Sequence, residues 1–516
     1  MANGELGFDF RAPKTLALRK SYCGEPRSEQ KESYRSEFMR DRDRIMYCRS
    51  FRRLGGKTQI YRAGENDHQR NRLTHTLEVA QISRTIASAL NLDCDLAEAI
   101  ALGHDLGHAP FGHAGEEVLH RIMTPSKDNP IEKSPLKLEG TETIDEKLDD
   151  NLGFKHNIQS VRIITEVDNS YEKEINNNYV NCGLDLTNFT LWGIMHHSGL
   201  AYAEKDGKCT YKKAHEEVMA LSKGDRSEKN CEAWSFEAFV VKQADEIAQW
   251  HHDLEDALRG NAMRSADVYN TIKSALGYKL KSNKEERERF EKLEKREYVD
   301  QIYLTEISHV VIEILITWLI DSTKKNLNCL KSKYFEDNKD MCEVIKQHSW
   351  DEVINQLSHE NKKIHIHEAI GFRLLWIENG EQDGENNDAV DALESEFRNQ
   401  IHKKIHHSQD VERMNAKGRF IIERLFASYY ESPQQLPNSI LIQYMLDYGK
   451  DGEGKKIYET WDAALKRGFG EVRIRFKEIY SKPTPELQLG LMRKICDHIA
   501  GMTDHFAMEE YKNLYG

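Results

Sequence analysis

The chain has no C-x-x-C pair, and its nine cysteines are scattered singly, an odd count that excludes a fully paired disulfide framework and points to free thiols in a reducing compartment. It has no apolar run of membrane-spanning length. The longest, Val310 to Ile320, is short and interrupted by Glu313, so it reads as a buried helix. Met1 to Gly7 lack the basic and apolar regions of a secretory leader. Positive charge is not in excess: 86 Asp and Glu face 73 Lys and Arg, for a formal net charge of −13. That balance argues against a protein whose main task is binding nucleic acid. No internal repeat is visible. These absences together predict a cytoplasmic protein with no membrane partner. At 516 residues and 39% hydrophobic content, the chain is long enough for one large helical domain with elaborations, or for two domains.

What is present is concentrated. His104-Asp105-Leu106-Gly107-His108-Ala109-Pro110-Phe111-Gly112-His113-Ala114-Gly115-Glu116 packs three imidazoles and two carboxylates into one short stretch. An adjacent His-Asp pair can put an imidazole nitrogen and a carboxylate oxygen on one divalent ion, while Gly107, Pro110 and Gly112 break the helix and turn the later histidines back over it. Burying so many polar groups without a function would be costly. The stretch therefore reads as an open metal site with a proton carrier above it.

Further ligands are at hand. After His75, Val79, Ile82 and Ile86 recur at helical spacing, so His75 lies at the end of a buried stripe. Leu96 and Ile100 precede His104 at steps of four and set it on the apolar face of a second helix. Downstream, Asp245, Gln249 and Asp253 share one face of a charged helix. Asp245 and Asp253 stand roughly 12 Å apart along it, enough for a phosphate near one end and a sugar near the other. Glu255 and Asp256 read as a solvated acidic face.

These residues resemble the H…HD…D pattern of HD-domain phosphohydrolases, with His75, then His104-Asp105, then Asp245. Arg42 to Ile45, Phe51 to Leu54, Lys57-Thr58-Gln59, Arg72 to Val79 and His104 to Glu116 narrow the resemblance to the deoxyguanosine triphosphate triphosphohydrolase branch, and it is renewed at residues 240–256 and at Ile499 to Asp504. The region from 280 to 440 matches only as generic helix. The resemblance implies an all-α HD-domain fold with additional C-terminal helices. It also implies hydrolysis of a deoxynucleoside triphosphate, dGTP first, to deoxynucleoside and inorganic triphosphate. One divalent ion would be held by His75, His104, Asp105 and Asp245, and this His and carboxylate set suits Mn, Mg, Fe or Co better than a closed structural zinc. The ion would bind an α-phosphate oxygen and lower the pKa of a bound water.

By the same resemblance His113 backed by Glu116 is the acid/base pair, and His108 lies against the phosphates. Arg72 would hold the triphosphate or cover the nucleoside, and its alternative is an exposed surface arginine. Gln59 matches a residue touching sugar or base, and Asp253 matches the acceptor of the 3′-hydroxyl. Two departures stand out. Gln249 replaces a Tyr whose ring closes off the sugar, which weakens the basis for excluding ribonucleotides. His196-His197 stand where some relatives have Lys-Tyr reaching the phosphates.

The expected layout is an N-terminal arm (1–35), a catalytic core (36–258) with an insertion loop near 125–151, and a helical C-terminal region (259–516) that packs on the core and in an oligomer interface. Further loop signals stand at Asn176 to Asn178, Lys223 to Arg226 and Gly380 to Asn387. Arg40, Arg42, Arg44, Arg49, Arg52, Arg53 and Lys57 form a basic cluster beside the site that could receive a triphosphate or a strand backbone. The resemblance implies a homohexamer or homotetramer, with single-stranded DNA or a nucleotide as an effector of some relatives. Two alternatives stay open: an HD phosphodiesterase or nucleotidase acting on another phosphate, and a nucleotide- or DNA-binding regulator with a vestigial site.

Overall fold

The computed structural model describes residues 8–19, 34–60, 70–124, 153–168, 171–175, 178–198, 233–259, 263–277, 284–294, 301–335, 340–347, 357–359, 362–364, 366–374, 384–450, 454–481 and 483–516. The insertion expected at 125–151 and the loop signal at Lys223 to Arg226 lie outside the described residues, as does 380–383 of the later polar loop. Among the described residues the fold is all-α apart from two short antiparallel hairpins, Glu172–Ile175 with Asn178–Asn181 and Leu357–His359 with Lys362–Ile364. Of the Asn176 to Asn178 loop signal, Asn178 opens the second strand of the first hairpin, and 176 and 177 lie outside the described residues.

Two hydrophobic cores organise the helices. In the first, Arg72–Ala89 packs between Cys94–Gly103 and Phe236–Arg259, with Glu37–Tyr47 and Asn188–His196 on the second of these and Gln301–Tyr334 on the third. Two of these helices are entered by a clear local signal. Asn71 and Thr74 close a capping box at the start of Arg72–Ala89, and the Asp93 carboxylate accepts the Asp95 and Leu96 N–H groups at the start of Cys94–Gly103. The stripe of His75, Val79, Ile82 and Ile86 is buried as its spacing predicts. The second core joins His113–Met123 to Gln409–Glu431, Asn438–Tyr448, Pro485–Ala500 and Asp504–Tyr515 through residues such as Phe111, Leu119, Phe426 and Ile495. The turn from His104 to Gly112 crosses from one core to the other.

Two sequence expectations change in the folded chain, and the described part of the arm packs on the core: Phe10 and Ala12 are buried, and the Ala12 N–H donates to Glu237 Oε1 at 3.0 Å. Glu237 is buried at the start of a core helix and needs such donors; burial pushes its carboxyl up to about 7 even so. The basic residues from Arg40 to Lys57 do not form one patch, because helical periodicity distributes them around the Glu37–Tyr47 helix and its successor. Arg42 pairs with Asp43 at 2.8 Å, Arg44 with Asp185 at 2.9 Å, and Lys57 is buried, its Nζ donating to Ala500 O at 2.8 Å. Glu255 and Asp256 are not a solvated face. Both are only 8% exposed, since the Phe236–Arg259 helix is packed along its length, and Glu255 pairs with Arg70 at 2.5 Å.

Candidate active site

The turn after the Cys94–Gly103 helix sets the centre of the site. His104 caps that helix, and its Nδ1–H donates to Ala101 O at 2.5 Å, which fixes the proton on Nδ1 and leaves the Nε2 lone pair free. Gly107 then passes so close to the His156–Arg162 helix that a Cβ there would lie 2.2 Å from His156 O. Ser160 locks the crossing by accepting the Gly107 N–H at 2.8 Å and donating to His104 O at 2.8 Å. Phe111 and Gly112 follow with φ of 61° and 60°. For Phe111 this left-handed conformation is uncommon, and its N–H is held by Asp504 Oδ1 at 2.8 Å. Asp504 also accepts the Thr58 N–H at 2.9 Å, so a C-terminal residue fixes the segment that carries Gln59.

Three helices bring the four expected metal ligands together. His75 Nε2 lies 3.0 Å from Asp245 Oδ1 and 3.9 Å from Asp105 Oδ2. His104 Nε2 lies 3.4 Å from Asp105 Oδ1 and 3.8 Å from Asp245 Oδ1. Atoms held roughly 2.1 Å from one centre sit about 3.0–3.4 Å apart when adjacent and about 4.2 Å apart when opposite, so these separations fall within the span of one ion's shell. A second observation supports the fit: His104 Nε2 is buried with no hydrogen-bond partner among the described residues. Burial opposes ionisation of Asp105, but the groups around it outweigh this, with the Arg72 guanidinium donating to it, and hold the carboxyl well below the usual range; Asp245 is likewise held low. Both are charged and ready to ligate.

Arg72 is 2% exposed and donates from Nη1 to Asp105 Oδ2 at 2.7 Å. It is therefore not a surface arginine but the counter-ion of Asp105, a candidate metal ligand. His108 Nε2 lies 3.0 Å from Asp105 Oδ1, and burial with Arg72 and His156 nearby keeps this imidazole neutral. His113 has a side chain 75% exposed at the N-terminus of its helix, with Nδ1 3.6 Å from Glu116 Oε2. Glu116 is held more closely by a residue that the sequence reading missed: His156, whose N–H donates to Oε1 at 3.1 Å and whose ring Nδ1 is 3.1 Å from both oxygens. His156 also stacks on His108 with ring centroids 3.9 Å apart. The one sequence signal was a polar Lys155-His156-Asn157 run opening a buried helix.

The remaining candidates divide. His197 faces the site, with its Nδ1–H donating to Ile194 O at 2.7 Å and its ring 5.0 Å from that of His104; burial lowers its pKa to about 3. His196 instead stacks on Trp192 with centroids 4.1 Å apart and is absent from the cavity walls, because one residue is about 100° around a helix. Gln59 donates to Gln249 Oε1 at 3.2 Å, and Gln249 Nε2 donates to Asp253 Oδ1 at 2.7 Å. Asp253 Oδ2 is 2.7 Å from His402 Nδ1, so both carboxylate oxygens have partners. A cavity of about 530 Å³ runs along this wall from Asp245 to Asp253 and is faced by Lys242, Arg398, Lys403 and His406. The last three were not legible as site residues, since they come from a segment some 150 residues downstream. A second cavity, of about 420 Å³, lies on the other side of His113, with Phe111, Phe154, Lys155 and Arg419 among its walls.

Comparisons with known proteins agree on one relationship. Residues 72–250 match the HD domain, and residues 385–458 and 463–513 match a phosphohydrolase-associated domain. The chain is 30% identical over 482 residues, 93% of its length and 92% of the relative's, to a deoxyguanosinetriphosphate triphosphohydrolase-like protein of Rickettsia rickettsii. It is 29% identical to one from Bartonella henselae over 94% of this chain and 91% of that one. A relative of the same name from Caldanaerobacter subterraneus is 38% identical over 275 residues, 53% of this chain and 61% of that one.

Proposed function

Since the chain belongs to the HD-domain family of deoxyguanosinetriphosphate triphosphohydrolase-like proteins, we propose that it hydrolyses a deoxynucleoside triphosphate, dGTP first, to the deoxynucleoside and inorganic triphosphate. The observation that carries this reading is the adjacency of His75, His104 and Asp245, with Asp105 beside them, to an exposed His113 backed by Glu116. A divalent ion, Mn, Mg, Fe or Co, would neutralise charge at the α-phosphate and acidify a water. The protein's own groups account for the rest. Glu116, held by His156, orients His113 through Nδ1, so that Nε2 is the atom that hands a proton to the leaving 5′-oxygen. Arg72 neutralises Asp105 and keeps it deprotonated.

Lys242, Arg398 and Lys403 supply positive charge in the cavity that Asp245, Gln249 and Asp253 share, and there the sugar and phosphates would meet opposite ends of one wall. Gln59 and Gln249 would face the sugar. The reading extends to assembly as a homohexamer or homotetramer, supported by exposed Leu465, Phe469 and Ile474 on C-terminal helices; a monomer in light scattering would refute that part. The activity is tested by incubating metal-loaded protein with each of the four dNTPs and with GTP, and separating the products by ion exchange. Deoxynucleoside and triphosphate are expected. Orthophosphate or pyrophosphate as the primary product would reject the reading in favour of another phosphohydrolase chemistry.

A further inference from the structure

We propose that Glu78 and His252 form a positioning relay that sets the tautomer and orientation of His75 for metal binding, an inference that rests on His75 being a ligand. His75 presents Nε2 to Asp245, 3.0 Å away, so its other nitrogen faces away from the donor set. That nitrogen, Nδ1, lies 3.3 Å from Nδ1 of His252, with the two rings edge to face at 71°. Two ring nitrogens in contact need one proton between them. The far side of His252 decides which carries it.

His252 is fully buried, and its Nε2 lies against Glu78 Oε2 at 2.5 Å. A carboxylate only accepts, so His252 bears its proton on Nε2 and offers a lone pair from Nδ1. His75 then donates its Nδ1–H to that lone pair and is left with an Nε2 lone pair aimed at the donor set. The whole chain runs carboxylate, imidazole, imidazole, donor atom, and every link is polarised in the same direction. Glu78 is itself fixed. It lies three residues after His75 on the same helix, and Arg70 Nε donates to its Oε1 at 3.0 Å while Arg70 also pairs with Glu255. His252 lies on the Phe236–Arg259 helix that carries Asp245, so the relay also ties together two ligand-bearing helices.

The test is Mn²⁺ affinity, read from free Mn²⁺ by electron paramagnetic resonance, for wild type, Glu78→Gln, His252→Phe and His251→Ala. Outer partners of metal-bound histidines typically contribute about 10–100-fold in affinity, and that loss is expected in the first two variants, with activity recovering at saturating Mn²⁺. His251 touches the same Glu78 oxygen at 3.5 Å but not His75, so its variant should bind like wild type. Wild-type affinity in folded Glu78→Gln overturns the relay, as does an equal loss in His251→Ala. Should His252→Phe fail to fold, Glu78→Gln, which keeps size but replaces a charged group that only accepts with a neutral one that can also donate, decides alone. A wild type that binds Mn²⁺ yet cleaves no dNTP rejects the proposed activity, while weakened binding in Glu78→Gln would still uphold the relay.

Discussion

Asp105 and Asp245 illustrate how two carboxylates of one donor set differ in what their removal tests. Asp105 also neutralises the buried Arg72 and contacts His108, so its loss would leave an unpaired buried guanidinium, costing about 3–5 kcal/mol. Asp245 has half-open surroundings and no buried cation depending on it. Asp245→Ala should therefore abolish bound divalent metal and activity while the helical fold survives; full metal occupancy by elemental analysis would remove Asp245 from the site. His113→Ala should do the reverse, retaining metal and substrate but losing roughly 10²–10⁴-fold in kcat, the usual contribution of a general acid or base. Loss of metal instead would make His113 a ligand. The inward placement of His75 and His104 was legible because each stands on a buried stripe at helical spacing, whereas Asp245 was named through the resemblance. His156 was not, because its partner Glu116 stands 40 residues away across the segment from 125 to 152.

At the scale of elements, the site turn is clamped by helices from the far end of the chain. Pro485–Ala500 and His156–Arg162 are joined through Asp497, which accepts two charged hydrogen bonds from Arg162, Nε at 2.9 Å and Nη2 at 2.8 Å, and one from Gln159 at 2.9 Å. Burial pushes the Asp497 carboxyl up, yet Arg162, Lys494 and Arg493 outweigh this and bring it down to about 2. A carboxyl lower in the folded than in the unfolded chain stabilises above its unfolded pKa near 3.9, and that stability fades as pH falls towards 2. The contribution amounts to roughly 2 kcal/mol. Urea midpoints of the wild type should accordingly fall between pH 6 and pH 3, whereas Asp497→Asn should begin lower at pH 6 and lose part of that dependence. An unchanged slope in the variant would remove Asp497 as the titrating group. Helix existence was readable from periodicity. The clamp was not, because Asp497 and Asp504 pair with groups more than 300 residues away, and local pattern carries no information about such partners.

For the whole molecule, the central feature is that the helices bearing His75, His104 and Asp245, the candidate metal donors, pack in the first hydrophobic core while His113 and its helix belong to the second, with His104 to Gly112 spanning the seam. The resemblance in the sequence named the halves of this arrangement; how residues 398–406 close the cavity over Asp253 required the folded chain, since their spacing is that of any amphipathic helix. An active site divided in this way directs bond breaking to whatever phosphorus lies between His113 and the donor set, and the proposed reaction makes it the α-phosphorus. The most direct test is hydrolysis of dGTP in ¹⁸O-enriched water, with the products analysed by ³¹P NMR and mass spectrometry. One ¹⁸O in the inorganic triphosphate and none in the deoxyguanosine 5′-hydroxyl is the predicted result. Label in the nucleoside hydroxyl, or release of a nucleoside mono- or diphosphate, would contradict it.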